Sequence, residues 1–286
     1  MTTSTHRLIQ SAVVLLLVVS AAGDSLCQKL TAEDVVNKHL ESLGSAEARA
    51  SVKSRVVQGT VVGTIRVGGA GQSKGGAVMA SQGRMTLLGL IFGVQDYSNE
   101  KIAFDGEQLT VGEWQPGKRT RLGGFLMTHD IMIKEGLMGG TLSSAWPLLD
   151  LSSRNPKLRY SGLKKVEGRQ VHAVDYQPRS GGNLEIRLFF DAETYQHVRT
   201  EYQHEISAAA VSRPEDAAKQ RPTRLKLTEE FADYRKEGLL ILPHAYKIRL
   251  VFESDANPAM QDWELTLSQF LFNKDLPASQ FRVTSE

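Results

Sequence analysis

Two hydrophobic periods divide the 286-residue chain. From Thr31 to Gly44 apolar residues recur at helical spacing, with Val35, Val36, His39, Leu40 and Leu43 forming one stripe. Thr31 is the expected N-cap, Glu33 and Asp34 suit the positive helix end, and Gly44 is the expected stop. His39 on this stripe reads as a packed residue rather than a ligand. From Arg55 the period becomes two. Val57, Gly59, Val61, Gly63, Ile65 and Val67 share one face, with Gln58, Thr60, Thr64 and Arg66 on the other. The glycine-rich stretch 68–76 reads as a flexible connection. Further strands are expected at 77–88, 101–104, 108–114, 157–165, 169–177, 184–190, 196–206, 224–234, 244–253 and 262–273. Asp105-Gly106 is a hairpin turn, Gln115 to Lys118 another, and Pro243, Asn257 and Pro258 mark breaks. Residues 207–222 are polar and proline-punctuated, the pattern of a mobile loop. About ten antiparallel strands and two principal helices follow, which is a curved antiparallel α+β fold.

One stretch breaks the alternation. Residues 122–151, LGGFLMTHDIMIKEGLMGGTLSSAWPLLDL, are apolar without strand periodicity. At helical spacing Leu122, Phe125, Leu126, Ile133 and Leu137 fall on one face, with Met132 close to it. Met127, Ile131 and Met138 fall on a neighbouring face. A helix over 122–138 would therefore be covered on more than one side. Three of the chain's seven methionines lie in it, and flexible thioethers suit an irregular or changing contact surface. Gly123-Gly124 and Gly139-Gly140 bracket it as breakers or hinges, and Trp146-Pro147 is the expected end of the excursion. Two readings stand together: a core helix across a sheet, or a helix lining or covering a hydrophobic cavity. On the second, the ligand-binding candidates are Phe125, Leu126, Met127, Ile131, Met132, Leu137, Met138 and Trp146. Core packing explains Trp114, Trp146 and Trp263, with Trp146 the best candidate for ligand contact because it closes the apolar region.

Composition adds the compartment. A hydrophobic content of 41% is enough for a large core. His6 and Arg7, the apolar run from Ser11, and the small residues Ser20 to Gly23 have the order of a cleavable signal peptide. The expected organisation is a signal peptide over 1–23 and one domain over 24–286, soluble and exported, with the periplasm implied by the family resemblance described below. Cys27 is the single cysteine, so no disulfide within the chain is possible. Asp24 and Leu26 are wrong for a lipobox, which argues against lipid anchoring at Cys27. The net charge is +2 with bases and acids interspersed, which excludes a nucleic-acid surface.

Chemistry is thin. His197 and His204 are seven apart, so a regular strand would turn them to opposite faces, and His129 has no helical partner. No metal and no cofactor are expected. The glycines before Lys74 lie between strands rather than ahead of a helix, unlike a phosphate loop. Ser143-Ser144 do not form a nucleophile elbow, and Glu229, Glu230 and Asp233 read as a solvated strand face. Nothing here is catalytic, so an enzyme is not expected.

The order of elements resembles the LolA-like periplasmic proteins. The features are the leading helix ending LESLG, RVVQGTVVGTIRV as first long strand, and DAETYQHVRTEY as a turn into an outgoing strand. FADYRKEGLLILPHAYKI resembles a strand reaching a Leu-Pro and turning, and LSQFLFNKDLPASQFRV a closing strand with a short excursion ending in a buried Phe281. The resemblance covers nearly the whole chain after the leader. It implies an incomplete (half) β-barrel with helices in its concave side and a hydrophobic cavity, binding a lipid or the acyl chain of a lipoprotein. Inner- or outer-membrane proteins would be further partners. An alternative on the same fold is a protein-interaction or envelope-stress sensor module with a collapsed cavity. The chain is longer than the carriers and adds the 207–222 loop.

Overall fold

The computed structural model describes residues 30–66, 70–93, 99–112, 120–206, 223–253 and 259–283. The expected signal peptide, Cys27, Trp114, the turn at 115–118 and the loop at 207–222 lie outside the described residues.

Helix α1 (Ala32–Leu43) begins as its sequence dictates. The Thr31 hydroxyl accepts from the Asp34 N–H, and the Asp34 carboxylate accepts from the Thr31 N–H at 2.9 Å, closing a capping box. Gly44 ends the helix at φ 139°. A second short helix, α2 (Ala46–Ser51), follows; the sequence pattern had not suggested it.

Twelve strands make one antiparallel sheet. They are β1 (Ser54–Arg66), β2 (Ala70–Gln82), β3 (Met85–Phe92), β4 (Glu100–Phe104), β5 (Leu109–Gly112) and β6 (Lys157–Val166). Then come β7 (Arg169–Gln177), β8 (Glu185–Asp191), β9 (His197–Ile206), β10 (Thr223–Glu237), β11 (Leu240–Glu253) and β12 (Ala259–Phe272). The spatial order is β5-β4-β3-β2-β1-β12-β11-β10-β9-β8-β7-β6, so the chain leaves one edge after β5 and re-enters at the other with β6.

Three expectations about the sheet and its turns need correction. From Ala70 the glycine stretch is not a connection: β2 starts there and pairs with β1 along its length. Gly75 is required there, because a Cβ would sit 2.0 Å from the Ile91 carbonyl oxygen of β3. The single strand expected at 77–88 is a hairpin, turning at Gly83 with φ 56°. Pro243 lies inside β11, opposite Tyr234, and the turn falls earlier, at Gly238.

The link between the two edges is the apolar excursion: α3 (Arg121–Thr128), α4 (Ile131–Lys134), a 3₁₀ turn at Gly140–Leu142, another at Pro147–Asp150, and α5 (Leu151–Arg154). The expected continuous helix over 122–138 is thus broken. The α3 backbone stops at His129, which leaves the helical region at φ −117°, ψ 49°. Trp146-Pro147 does not end the excursion, which runs to Arg154.

The sheet curls around this link. The Lys134 carbonyl accepts from Arg84 in the β2–β3 turn, and the neighbouring Glu135 carboxylate accepts from Tyr176 of β7 at 3.1 Å. β3 and β7 are eight places apart in the sheet. In a flat sheet that would be roughly 38 Å, so only a curved sheet brings both to adjacent residues. Val57, Leu88, Phe104, Val174, Phe190, Tyr202, Phe231, Tyr246 and Trp263 from nine strands join Val35 of α1 and Phe125 of α3 in one core.

Candidate functional site

The inside of the curved sheet is the candidate site, and the excursion occupies it. The Thr120 hydroxyl caps α3, accepting from the Gly123 N–H at 2.8 Å and donating to Glu100 of β4 at 2.7 Å. Leu122, Phe125 and Leu126 of α3, Met132 and Ile133 of α4, and Leu137 and Met138 beyond it are buried. Trp146 is buried and stacks on the His197 ring at 4.9 Å and 27°. Met127 and Ile131 are half-buried against the same core. The structure therefore brings all eight sequence-derived candidates to one apolar mass.

That mass is closely filled. One pocket beside it measures about 30 Å³ and is walled by Met79, Leu88, Ile102, Ile133, Met138 and Leu142, among others. Such a volume holds a water molecule or two, not an acyl chain. The excursion is itself the lining and the contents.

Glycines let it turn tightly against the sheet. Gly136 has φ 72°, and a Cβ there would lie 2.2 Å from the Ala145 carbonyl oxygen. Gly139, at φ 82°, points its N–H at Glu229 Oε1 of β10, 2.7 Å away. Glu229 is fully buried and also accepts from the Tyr202 hydroxyl at 2.6 Å and the Tyr246 hydroxyl at 2.5 Å. Burial pushes its carboxyl up to about 6, against the pull of the three donors. The two phenols are pushed well above their usual range by burial and by the carboxylate beside them.

This corrects the reading of Glu229 as a solvated residue. Its flanking alternation gave no warning, but Leu227 and Phe231 share its parity, and both are buried. A carboxylate in register with two core residues was the available signal.

The expected opposition of His197 and His204 also fails. The β8–β9 pairing slips between Phe189 and Phe190, so one residue is inserted and the alternation reverses. His197 then faces Trp146 and Phe231, while His204 lies 4.8 Å from the His129 ring. His39 is fully buried, as its stripe implied, and its Nδ1 lies 3.0 Å from the Tyr195 carbonyl oxygen. Burial lowers His39 to about 4 and carries His197 down as well, so both rings are neutral at pH 7. Among the described residues no group of three or more histidine, cysteine or acidic side chains is arranged to hold a metal ion.

No family model and no curated protein matches this chain. Among solved structures it is similar to a LolA superfamily protein from Nitrosomonas europaea, at 11% identity over 89% of this chain and 98% of that one, TM-score 0.46. It is similar to an outer membrane lipoprotein-sorting protein domain from Vibrio parahaemolyticus, at 14% identity over 87% and 97%, TM-score 0.49. A DUF1329 family protein from Desulfovibrio piger matches at 10% identity over 88% and 97%, TM-score 0.47.

Proposed function

We propose that the chain is an exported binding protein of the cell envelope that holds a hydrophobic ligand, a lipid or the acyl chain of a lipoprotein, without covalent chemistry. The observation that carries this reading is the excursion 121–154. It is a chain of short helices and 3₁₀ turns rather than one long rod, and it fills a curved sheet with Phe125, Leu126, Met132, Leu137, Met138 and Trp146. Its polar ties to the wall include Glu229 on Gly139, Ser81 on Ser144, Glu135 on Tyr176, Thr141 on Tyr234, and Arg55 and Arg84 on main-chain oxygens. If it swings out, apolar wall is exposed that an acyl chain can cover, at about 25 cal/mol for each Å² removed from water. The closed form described here is then the unloaded one.

The small volume of the pocket beside the excursion favours a second reading, an interaction or sensing module whose interior is ordinary core and whose partner binds outside. Native mass spectrometry of protein purified from an envelope fraction, followed by solvent extraction, separates the two. Co-purifying lipid or acylated protein, released on denaturation, supports the first. A clean apo mass with no uptake of a fluorescent fatty acid removes it and leaves the second.

A further inference from the structure

Arg55 stands on the inward face of β1, in register with Val57, and only 5% of its surface is exposed. One guanidinium nitrogen donates to the main-chain oxygen of Thr141 in the excursion, and Nε has no acceptor among the described residues. Burial lowers its pKa to about 10, and no carboxylate among the described residues raises it. A buried cation without a counter-charge is costly, and natural cores seldom keep one.

Its surroundings are short of acceptors too. Arg55 borders a cavity of about 10 Å³ walled by Leu43, Arg49, Trp146, Leu240 and Leu242, among others, with no acidic residue. Trp146 Nε1 is also buried, with no acceptor among the described residues. Arg49 adds a second guanidinium, which donates to the Leu40 and Gly44 carbonyl oxygens. Two unmet N–H donors and two cations, set in leucine and tryptophan, are the complement of an anionic group carried on an apolar chain.

We propose that Arg55 is the headgroup site for an anionic amphiphile, an acyl chain ending in a carboxylate or phosphate oxygen. This rests on the acyl-binding reading above. In the closed form the Thr141 carbonyl occupies Arg55. When the excursion moves, that oxygen leaves with it, and the ligand's anionic oxygen takes over the guanidinium while its chain covers the uncovered wall. Arg55 is then a latch in one state and a headgroup clamp in the other.

Binding of two matched pairs to the purified protein tests this: palmitate against methyl palmitate, and palmitoyl lysophosphatidate against monopalmitoylglycerol. The anionic member of at least one pair should bind roughly tenfold or more tighter, the size of a charge-assisted hydrogen bond. The pair that shows the preference separates a free fatty acid from a phospholipid. Arg55→Met should erase the preference and keep affinity for the neutral member, while Arg55→Lys should keep part of it. Equal binding within both pairs, or a preference that survives in Arg55→Met, overturns the headgroup site alone. If Arg55→Met does not fold, the wild-type comparison and Arg55→Lys still decide. Failure of all four compounds to bind removes the headgroup site together with the acyl-binding reading.

Discussion

Glu229 Oε1 accepts the main-chain N–H of Gly139 at 2.7 Å, tying β10 in the sheet wall to a left-handed corner of the excursion. With Tyr202 and Tyr246 on the same carboxylate, every donor in the cluster points at one buried group.

Replacing Glu229 with alanine strands two hydroxyls and one N–H inside the core. The expected cost is about 3 kcal/mol or more, read by urea unfolding. A loss below about 1 kcal/mol would mean that the corner repacks or admits water.

The same residue sets a pH signature. Its folded pKa of about 6 exceeds the ordinary 4.5, so the fold prefers it protonated. Ionisation therefore opposes folding above pH 6, and this opposition disappears below about pH 4.5, a swing of about 2 kcal/mol. The stability of wild type minus that of Glu229→Gln should fall as pH rises from 4.5 to 6 and then level off. A flat difference across that window would show the carboxyl to be titrating normally.

His39 has the opposite sign. A base with its pKa lowered from 6.5 to about 4 contributes full stability above pH 6.5 and loses it progressively as pH falls towards 4. The full loss is about 3 kcal/mol. His39→Phe should flatten the acid limb of the stability curve by up to one proton. An unchanged acid limb would place the sensitivity elsewhere, with His197 the next residue to test.

Gly136 and Gly83 both have positive φ, 72° and 56°, but only Gly136 faces backbone, the Ala145 carbonyl oxygen. Gly83→Ala should cost about 1 kcal/mol, the left-handed penalty alone. Gly136→Ala should cost about 3 kcal/mol or more, because two backbone segments must separate. Equal costs in denaturant unfolding would show the Gly136–Ala145 approach to be loose.

Met132 of α4 is fully buried, whereas Met127 of α3, five residues earlier in the chain, is half-buried. Met132→Lys should destabilise by about 4 kcal/mol or unfold the chain, and Met127→Lys should be tolerated. A well-folded Met132→Lys protein with a near-native melting temperature would show that water reaches this side of the excursion, as an opening cavity requires.

Much of the fold was readable from residues that act on near neighbours. Thr31 and Gly44 bounded α1, and the alternations around Leu184, Thr228 and Trp263 located their strands to within a few residues. The apolar run containing Phe125, Met132 and Trp146 was recognisable as a segment that must be covered, whether lying across a sheet or lining a cavity. Its break at His129 was not, because the conformation there follows from fitting α3 and α4 inside a curved wall. Gly75 belongs to a strand because Ile91 of the next strand approaches it, and that partner is named nowhere near it in the chain.

By itself, then, the sequence determined what depends on a few consecutive residues: caps, the Asp105-Gly106 turn, the periodicity of most strands, and the existence of an apolar segment that must be covered. Tertiary structure decided which face each polar residue occupies. A one-residue slip at Phe189–Phe190 turned His197 inward, strand register carried Glu229 to Gly139, and the path of the excursion brought Thr141 to Arg55. The physical reason is that side-chain direction in a strand reverses with every residue, so a single insertion or a distant pairing changes burial while leaving local composition untouched.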